Sequence, residues 1–531
     1  MFDFGISYCY RIYTQIKNIY KIKTHLDIIF NGFKLNESDI IQKKNFESLK
    51  QIIFSCGSLY IKCLQWYISK LKSNIVDNKN IYKINNNGNE DGNGNENGDG
   101  NKNENGDGNK LEHKYLSTFI SYFEDIFEQC PYHDIEHTEN VFTNSMFGLS
   151  LDKYVDMSTF RSIASGSIGQ VYYARRLRDG LEIAIKVKHP NIDEDLKNQY
   201  ELVKFIKIIQ MIPYLKNRYN LHFNLDDFLL DINMQCDFNN EANNCNTFRE
   251  NFKDSEDYIV FPKIIYQSND LLISEYIKGE SFDSLTNMQK YKTSLSFICF
   301  FYQMLLVDNF LHGDLHCQNW KVRNYKDNIQ IIVYDCGICF QNTSIELTND
   351  LWFALVGYNI DDIKKTVYNF IIDNSKNSII NNDNFQKEIM FFFNSVMEES
   401  VSTSILIKSI ISFFKSYNLT ISKFLLNISI LLCVVEEFFK EHNFINKNKD
   451  KQIKNASMYE IINDSYLDII SFCDVKKCYP KVRDLFVLHI KDNYKNYKEN
   501  IEKNNIKETE NTEKQLFSSL SLSTLKFKKP E

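Results

Sequence analysis

The stretch Phe310–Phe340 (FLHGDLHCQNWKVRNYKDNIQIIVYDCGICF) sets acidic and amide side chains between apolar segments. Asp314 belongs to His-Gly-Asp and has the spacing Asp-x4-Asn to Asn319. Asp335 begins Asp-Cys-Gly directly after the apolar run Ile329–Tyr334, which is typical of a strand. Oxygen donors of this kind suit Mg²⁺. The spacing therefore predicts that two loops bring three oxygen donors to one site.

Composition limits the class of protein. The chain has 531 residues, a formal net charge of −7 and a pI near 5.9, so we expect no nucleic-acid partner. Hydrophobic residues make up 43% of the chain, which supplies ample material for a core. The 13 cysteines are scattered and lie mostly in apolar runs. This pattern favours buried thiols in a reducing compartment over a disulfide framework.

The sequence gives no sign of a membrane-spanning helix, which needs ~18 consecutive apolar residues. The run Phe424–Val435 is apolar but short, and it precedes Glu436-Glu437, so it predicts a buried helix. Basic residues outnumber the lone acid Asp3 in the first 26 residues, namely Arg11, Lys17, Lys21 and Lys23. This segment is either an amphipathic targeting segment or an ordinary surface helix.

Changes in pattern divide the chain into segments. We expect an N-terminal or targeting segment over 1–40, a helical N-terminal extension over 41–148, a strand-rich N-lobe over 149–278, a helical C-lobe over 279–490 and a charged tail over 491–531. Residues 84–110 are almost entirely Asn, Gly, Asp, Glu and Lys, which predicts a disordered insert within the extension. The layout predicts an α+β, two-lobed protein-kinase-like fold.

Hydrophobic periodicity places the main elements. Strands are expected over Phe160–Arg176, Glu182–Lys188, Tyr258–Tyr266 and Leu271–Tyr276, with short ones around Trp320–Val322 and Ile329–Tyr334. Helices are expected over 40–75, 113–148, Asp195–Ile212, Asp226–Phe252 and most of 287–490. The residues Leu177–Gly180 predict a hairpin turn between the first two strands.

Phosphoryl transfer needs a cradle for phosphates and a cation that contacts them. The small residues Ala164, Ser165, Gly166 and Ser167 would let backbone N–H groups approach phosphate oxygens, although such residues also form ordinary turns. Lys186 stands in the apolar segment Ile-Ala-Ile-Lys-Val, where a lysine requires a partner unless it faces water at a sheet edge. Glu241, on a predicted helix, is the natural partner.

The remaining site residues follow in the order of a kinase-like enzyme. Asp314 would orient or deprotonate an acceptor, while Asn319 and Asp335 would bind Mg²⁺. Glu275, at the junction between the lobes, is expected to contribute to nucleotide binding. Lys186 would contact the phosphates and Glu241 would hold it in position. The ordered combination predicts a site for ATP, or ADP, with Mg²⁺.

Several motifs resemble those of the UbiB family of atypical kinases, also called aarF-domain kinases. The segment Val307–His316 contains His-Gly-Asp-Leu-His rather than His-Arg-Asp, and it is similar to that family's catalytic loop. The segment Gln235–Asn244 resembles its acidic helix motif, and Tyr60–Trp66 resembles its Lys-x-Gly-Gln segment. The resemblance implies that the N-terminal extension folds over the active site, with Lys62 and Gln65 reaching into the pocket.

The resemblance also implies a function. It indicates a MgATP-binding kinase or ATPase that supports ubiquinone (coenzyme Q) biosynthesis in mitochondria, with a lipid or membrane surface and coenzyme Q biosynthesis proteins as partners. A catalytically weak pseudokinase scaffold that binds lipid or protein stays open, because Leu64 replaces the motif glycine and Gln235 replaces a glutamate. A small-molecule kinase of the aminoglycoside-phosphotransferase type also stays open, because it shares His-Gly-Asp-x4-Asn.

Overall fold

A computed structural model describes part of the chain. The described residues are 2–35, 37–58, 60–62, 64–65, 68, 115, 117–127, 129–197, 200, 230, 232–315, 318–341, 387 and 468–488. The predicted insert at 84–110, the helix expected over Phe424–Val435 and the tail over 491–531 lie outside these residues. The segment boundaries given above stay predictions.

The N-terminal extension is helical and has a core of its own. Helix α1 spans Phe2–Lys34 and α2 spans Asp39–Cys56, and helical residues follow between 58 and 68 and between 115 and 123. Their buried faces share one apolar cluster, which includes Phe33, Phe46, Leu49, Phe119 and Phe123. No helix in the described ranges is long and apolar enough to cross a membrane.

The helix expected over 113–148 is interrupted. Its first part ends in the 3₁₀ turn Glu124–Phe127, and residues 130–134 are extended loop. Helix α3, Ile135–Ser145, then begins with Asp134 as N-cap, whose side chain accepts a hydrogen bond from the His137 N–H. The short helix α4, Leu151–Tyr154, leads into the N-lobe sheet.

The N-lobe contains a five-stranded antiparallel sheet. The strands are β1 Val155–Ser165, β2 Gly169–Arg176, β3 Glu182–Lys188, β5 Ile264–Gln267 and β6 Leu271–Glu275, in the order β1-β2-β3-β6-β5. The prediction of one strand over Phe160–Arg176 was wrong. The chain reverses at 166–168, and Ser165 pairs with Gln170 across the turn, because small residues there permit a tight reversal.

The long helix expected over Asp226–Phe252 is also interrupted where the structure describes it. Helical residues 232–235 end at Cys236, and helix α5, Phe238–Asn251, begins afresh. The side chain of Asp237 accepts from the Asn239 N–H at 3.0 Å and so caps the new helix. This cap sets the residue at which α5 begins and therefore which of its side chains face inward. Glu241 is one of the buried side chains of the helix.

The predicted strand Tyr258–Tyr266 was wrong as a single element. Strand β4, Ile259–Val260, pairs in parallel with strand β9, Asn328–Val333, whereas β5 belongs to the N-lobe sheet. Pro262 lies between β4 and β5, and it lacks the N–H that a continuous strand would donate. The chain therefore changes sheets at this proline.

The C-lobe is built around a buried helix. Helix α6, Asn287–Tyr302, starts with a capping box between Thr286 and Gln289 and continues as the π-helical turn Gln303–Val307. Strands β8 Trp320–Tyr325 and β9 Asn328–Val333 form a hairpin, and β7 Phe310–His312 pairs with β10 Cys339–Gln341. Helical residues 468–476 and 480–488 complete the described core.

The pairing of β7 with β10 brings two loops together. His312 lies opposite Cys339, so the loop after β7, which holds Asp314, runs beside the loop after β9, which holds Asp335. The backbone N–H of Gly313 donates to the carbonyl of Ile338 at 2.8 Å. The adjacency predicted from the sequence is therefore a consequence of this small sheet.

Candidate functional site

Lys186 is the centre of the candidate site. Its strand β3 pairs with both β2 and β6, so the alternative of an edge-strand lysine facing water was wrong. The Nζ atom lies 2.7 Å from Oε2 of Glu241 and 3.0 Å from Oδ2 of Asp335. One ammonium group from the N-lobe therefore bridges a carboxylate on α5 and a carboxylate of the C-lobe.

Two carboxylates share this one ammonium group, and their pKa values move in opposite directions. Burial, followed by the charge of Asp335, raises the pKa of Glu241 to about 7. Burial alone would raise the pKa of Asp335, but the Lys186 ammonium and the Gly337 N–H, 2.8 Å from Oδ1, hold it well below its usual range. Asp335 thus stays ionised, and Glu241 is the carboxylate that takes up a proton first.

The pKa of Lys186 itself is raised. Burial would lower it, but the carboxylates of Asp335 and Glu241 outweigh burial. The lysine is therefore fully charged at neutral pH, which is the state required for a contact with phosphate.

The extension places Lys62 toward the same charges. After burial and the nearer charges, the Lys62 ammonium also acts on the pKa of both Glu241 and Asp335, in the lowering direction. Gln65 is buried and its Nε2 donates to the carbonyl of Ile126 at 2.9 Å. Leu64 is buried in the apolar cluster of the extension, so a leucine at the motif glycine fits this packing.

The loop after β7 is held by side chains on both sides. The Nε2 atom of buried His312 donates to the carbonyl of Asp335 at 2.5 Å, and its Nδ1 accepts from the Asp314 N–H at 3.2 Å. The Nδ2 atom of Asn319 donates to the carbonyl of Asp314 at 2.7 Å, which leaves the amide oxygen as the atom suited to a metal. Burial lowers the pKa of His312, in keeping with a neutral ring.

His312 is a residue that sequence reasoning missed as a connector between the two loops. Its position two residues before Asp314 was visible, but its contact with Asp335 joins residues far apart in the chain. A second connector is Asn244 on α5, whose Nδ2 donates to the carbonyl of Cys336 at 2.9 Å. The helix that carries Glu241 is thereby fixed to the loop that carries Asp335.

The thiols near the site are packed rather than exposed. Cys336 and Cys339 are buried, and the Cys339 thiol donates to the carbonyl of Cys336 at 3.3 Å. Among the described residues, no group of three or more His, Cys, Asp or Glu side chains could hold a metal ion. The predicted magnesium ligands, Asn319 and Asp335, include only one carboxylate.

The loop expected to contact phosphates forms the turn between β1 and β2. Ser165 is buried and its hydroxyl donates to the carbonyl of Pro131 at 3.2 Å, so this side chain is committed to the extension. The Gly166 N–H donates to the carbonyl of Gly169 at 3.0 Å. Ala164 is half-buried, whereas Ser167 is buried.

Glu275 lies where the lobes join. It is the last residue of β6, it is half-buried, and its N–H donates to the carbonyl of Lys263 at 2.9 Å. A few residues later, Glu280 pairs with Val322 of the C-lobe hairpin. The segment that begins at Glu275 is therefore the connection between the N-lobe sheet and the C-lobe.

Two glycines of the turn make different demands on space. A Cβ atom at Gly169 would lie 2.8 Å from the carbonyl oxygen of Val187, whereas one at Gly166 would meet nothing closer than 3.7 Å. We expect Gly169→Ala to lower the free energy of unfolding by about 1–3 kcal/mol, because the β3 backbone must move. Gly166→Ala should change it by less than about 0.5 kcal/mol. Urea denaturation of both variants checks this, and equal stabilities would contradict it.

The sheet, the lysine–glutamate pair and the two C-lobe loops together define a protein-kinase-like fold with an α+β architecture and N-terminal helices. Within this class, residues 125–367 match the ABC1 atypical kinase-like domain. The chain therefore carries an atypical kinase-like domain of the ABC1 type, and the recognition made from the sequence motifs is confirmed.

Curated relatives are similar to part of the chain. The probable serine/threonine-protein kinase abkC of Dictyostelium discoideum is 31% identical over 215 residues, covering 39% of this chain and 31% of that protein. An ABC1 family protein of Saccharomyces cerevisiae described as mitochondrial is 31% identical over 191 residues, covering 31% of this chain and 29% of that protein. The probable protein kinase UbiB of Aliivibrio fischeri is 28% identical over 203 residues, covering 36% of this chain and 37% of that protein. The chain thus spans about a third of the length of these relatives.

Solved structures give distant likenesses. A complex of Rv3197 with erythromycin from Mycobacterium tuberculosis has a TM-score of 0.38 and 19% identity, covering 58% of this chain and 79% of that chain. A complex of Rio2 kinase with ADP, Mg²⁺ and phosphoaspartate from Chaetomium thermophilum has a TM-score of 0.26 and 11% identity, covering 61% and 85%.

Proposed function

We propose that this protein binds MgATP as an atypical kinase or ATPase of the UbiB type and that it supports ubiquinone biosynthesis. The observation that carries the proposal is the bridge from Lys186 to Glu241 and Asp335. A strand lysine paired with a helix glutamate at the junction of two lobes orients nucleotide phosphates in kinase-like enzymes, and an aspartate beside it holds Mg²⁺ there.

The residues present fit a magnesium–nucleotide group. Asp335 remains ionised and Asn319 presents an amide oxygen, and Mg²⁺ commonly takes one or two carboxylates together with phosphates and waters. One carboxylate and one amide from the protein are therefore a sufficient donor set. Lys186 would contact phosphate oxygens, and the backbone of residues 164–167 would line them. Bound ATP would supply the phosphoryl group.

Asp314 would act on the acceptor. It follows buried His312 and is half-buried, and its own N–H and carbonyl are held by His312 and Asn319. A carboxylate on a backbone fixed in this way can orient an acceptor hydroxyl, or a water molecule, and accept its proton.

The extension limits the kind of acceptor. Lys62 acts electrostatically on Glu241 and Asp335, so the extension lies near the site. A peptide would have to displace this extension, whereas water, a small molecule or a lipid headgroup would not. We therefore favour ATP hydrolysis or transfer to a small or lipid-linked acceptor over protein phosphorylation.

The metabolic role and the location rest on relatives and on one surface. Relatives that match about a third of their length are described as UbiB and as a mitochondrial ABC1 family protein, which supports a place in ubiquinone biosynthesis and in mitochondria.

Helix α1 exposes aromatic, aliphatic and basic side chains together, namely Tyr13, Ile16, Lys17, Tyr20 and Lys23. Such a surface suits an anionic lipid headgroup layer and supports association with a membrane surface.

Depletion of the protein in its own cells, followed by quantification of ubiquinone, tests the proposal. We expect the quinone to fall on depletion, and the parent chain to restore it where Asp335→Asn does not. Full restoration by Asp335→Asn would instead support the pseudokinase scaffold. A phosphorylated soluble alcohol that disappears on depletion, with ubiquinone unchanged, would support the small-molecule kinase.

A further inference from the structure

Histidines outside the candidate active site meet where the extension touches the turn between β1 and β2. The Nδ1 atoms of His133 and His189 lie 2.7 Å apart. The other ring nitrogen of His133 lies 2.9 Å from the hydroxyl of Thr138, and that of His189 lies 3.0 Å from the carbonyl of Gly166. The extension is thus connected through two imidazoles to the loop expected to contact phosphates.

The direction of each hydrogen bond follows from chemistry. A carbonyl only accepts, so His189 carries its proton on Nε2 and donates to Gly166. In a neutral ring the Nδ1 atom of His189 is then an acceptor, so His133 must donate from its own Nδ1. The Nε2 atom of His133 consequently accepts from the hydroxyl of Thr138. With both rings neutral, this is the arrangement that satisfies every contact.

The chain of hydrogen bonds continues into β2 and closes on itself. Thr138 accepts from the hydroxyl of Tyr172 at 2.6 Å, and Tyr172 accepts from Nε2 of Gln170 at 2.8 Å. The Oε1 atom of Gln170 accepts from the His133 N–H at 2.9 Å. A closed set of this kind has little freedom to move, because displacing one member leaves a polar partner unsatisfied.

Backbone contacts reinforce the same junction. The Cys130 N–H donates to the carbonyl of Ser165 at 2.8 Å, and Gln129 forms a parallel bridge with Ser165. The hydroxyl of Ser165 donates to Pro131 and lies 3.4 Å from Nε2 of His189. Residues 129–133 thus lie along the end of β1 and contact the turn directly.

We propose that His133, Thr138, Tyr172, Gln170 and His189 form a clamp by which the N-terminal extension positions the loop 164–167 for nucleotide phosphates. His133 and His189 are positioning residues in this clamp, since they act through the Gly166 carbonyl rather than on the nucleotide. The inference rests on the proposed nucleotide site. It assigns the extension a second contact with that site, separate from Lys62.

The clamp requires uncharged rings and is therefore sensitive to acid. Burial, followed by the neighbouring His189 and His137 rings, lowers the pKa of His133 to about 4, and burial lowers the pKa of His189. The other charged groups near the pair are Asp134 on the same segment and Lys188, which is paired with acids. The neutral rings of His133 and His189 contribute to stability above a pH of about 6.5, the pKa of histidine in the unfolded chain. This contribution is lost as the pH falls toward the lower pKa that the rings have in the folded protein.

The clamp is tested by Mg-ADP affinity and by hydrogen exchange of residues 163–170. We expect His133→Leu to raise the Kd for Mg-ADP about tenfold, the worth of one lost hydrogen bond, and to speed exchange of this segment. His133→Asn, whose amide nitrogen can replace Nδ1 as the donor, should stay within about threefold of the parent. After division by the intrinsic exchange rate, the protection of this segment should also depend on pH less steeply in His133→Asn than in the parent between about pH 4 and pH 6.5, because asparagine does not titrate and only His189 still does.

Two neighbouring tyrosines provide a matched control. Tyr172 is in the clamp, whereas Tyr173 lies on the opposite face of β2 and its hydroxyl donates to Glu182 of β3. Tyr172→Phe should raise the Kd and speed exchange, and Tyr173→Phe should do neither. This pair decides the question even if His133→Leu does not fold.

The outcomes separate the two proposals. If the parent binds no Mg-ADP, the proposed function fails, and the exchange rates alone then decide whether the clamp exists. If the parent binds Mg-ADP and both His133→Leu and Tyr172→Phe match Tyr173→Phe in affinity and in exchange, the clamp is wrong.

Discussion

Replacing Lys186 by methionine is expected to abolish Mg-nucleotide binding and to lower the free energy of unfolding by about 3 kcal/mol, the lower end of the range for breaking a buried pair. Methionine keeps the length of the side chain but removes the ammonium that Glu241 and Asp335 share, and leaves only the more distant charge of Lys62. The Asp335 side chain is 41% exposed, so water screens part of the repulsion between the two carboxylates.

The loss of stability caused by Lys186→Met should depend on pH. The pKa of Glu241 is already raised to about 7 with the lysine present, and removing the ammonium raises it further. A carboxyl group with a raised folded pKa binds a proton that the unfolded chain has released, so its contribution to stability falls as the pH rises. Lys186→Met should therefore lose more stability at about pH 8 than at about pH 6.

Urea denaturation at the two pH values measures this effect. Lys326→Met is the matched control, because Lys326 pairs with Asp257 at 3.0 Å but its side chain is 61% exposed. Water screens such a surface pair, so its loss should change stability little and should not depend on pH in this range. The same pH dependence in both variants would contradict the account of the Lys186 bridge.

Replacing Asp314 by asparagine is expected to reduce turnover of ATP by about 10²–10⁴-fold while leaving the Kd for Mg-nucleotide within about threefold. The amide keeps the shape of the side chain but cannot accept the acceptor proton. Nucleotide binding should persist because Lys186, Asn319 and Asp335 are unchanged.

Two measurements on the same preparation check whether turnover falls while binding persists. They are the release of inorganic phosphate and the Kd for Mg-ADP. Asp283→Asn is a suitable control, because Asp283 is an exposed acid that pairs with Lys290 at the surface. A large loss of binding in Asp314→Asn would place this residue among the metal ligands. Unchanged turnover would remove it from the chemistry.

Much of the candidate site could be predicted from the sequence because its motifs have fixed order and spacing. Lys186 meets Glu241 across 55 positions, as their types and order indicated, whereas its contact with Asp335 across 149 positions was not predicted. The α+β fold class and the family were also predictable, since they follow from the same motifs. The strand–turn pattern of Glu182–Lys188 agreed with the structure because alternation and turn residues act locally.

Other features depend on contacts that local patterns do not encode. The break between β4 and β5 sends neighbouring segments into different sheets, and only the proline hinted at it. His133 meets His189 across 56 positions, and neither belongs to a recognised motif. The sharing of one ammonium by two carboxylates makes Glu241, rather than Asp335, the group that protonates, and this balance depends on the Gly337 N–H.

The central claim is that the bridge at Lys186 belongs to a magnesium–nucleotide site. Thermal unfolding of the parent chain and of Asp335→Asn, with ATP or ADP and with or without Mg²⁺, tests it most directly. The account predicts that the parent melts several degrees higher only when nucleotide and Mg²⁺ are both present, and that Asp335→Asn shows no such increase. An absent increase in the parent, or an equal increase in the variant, would contradict it.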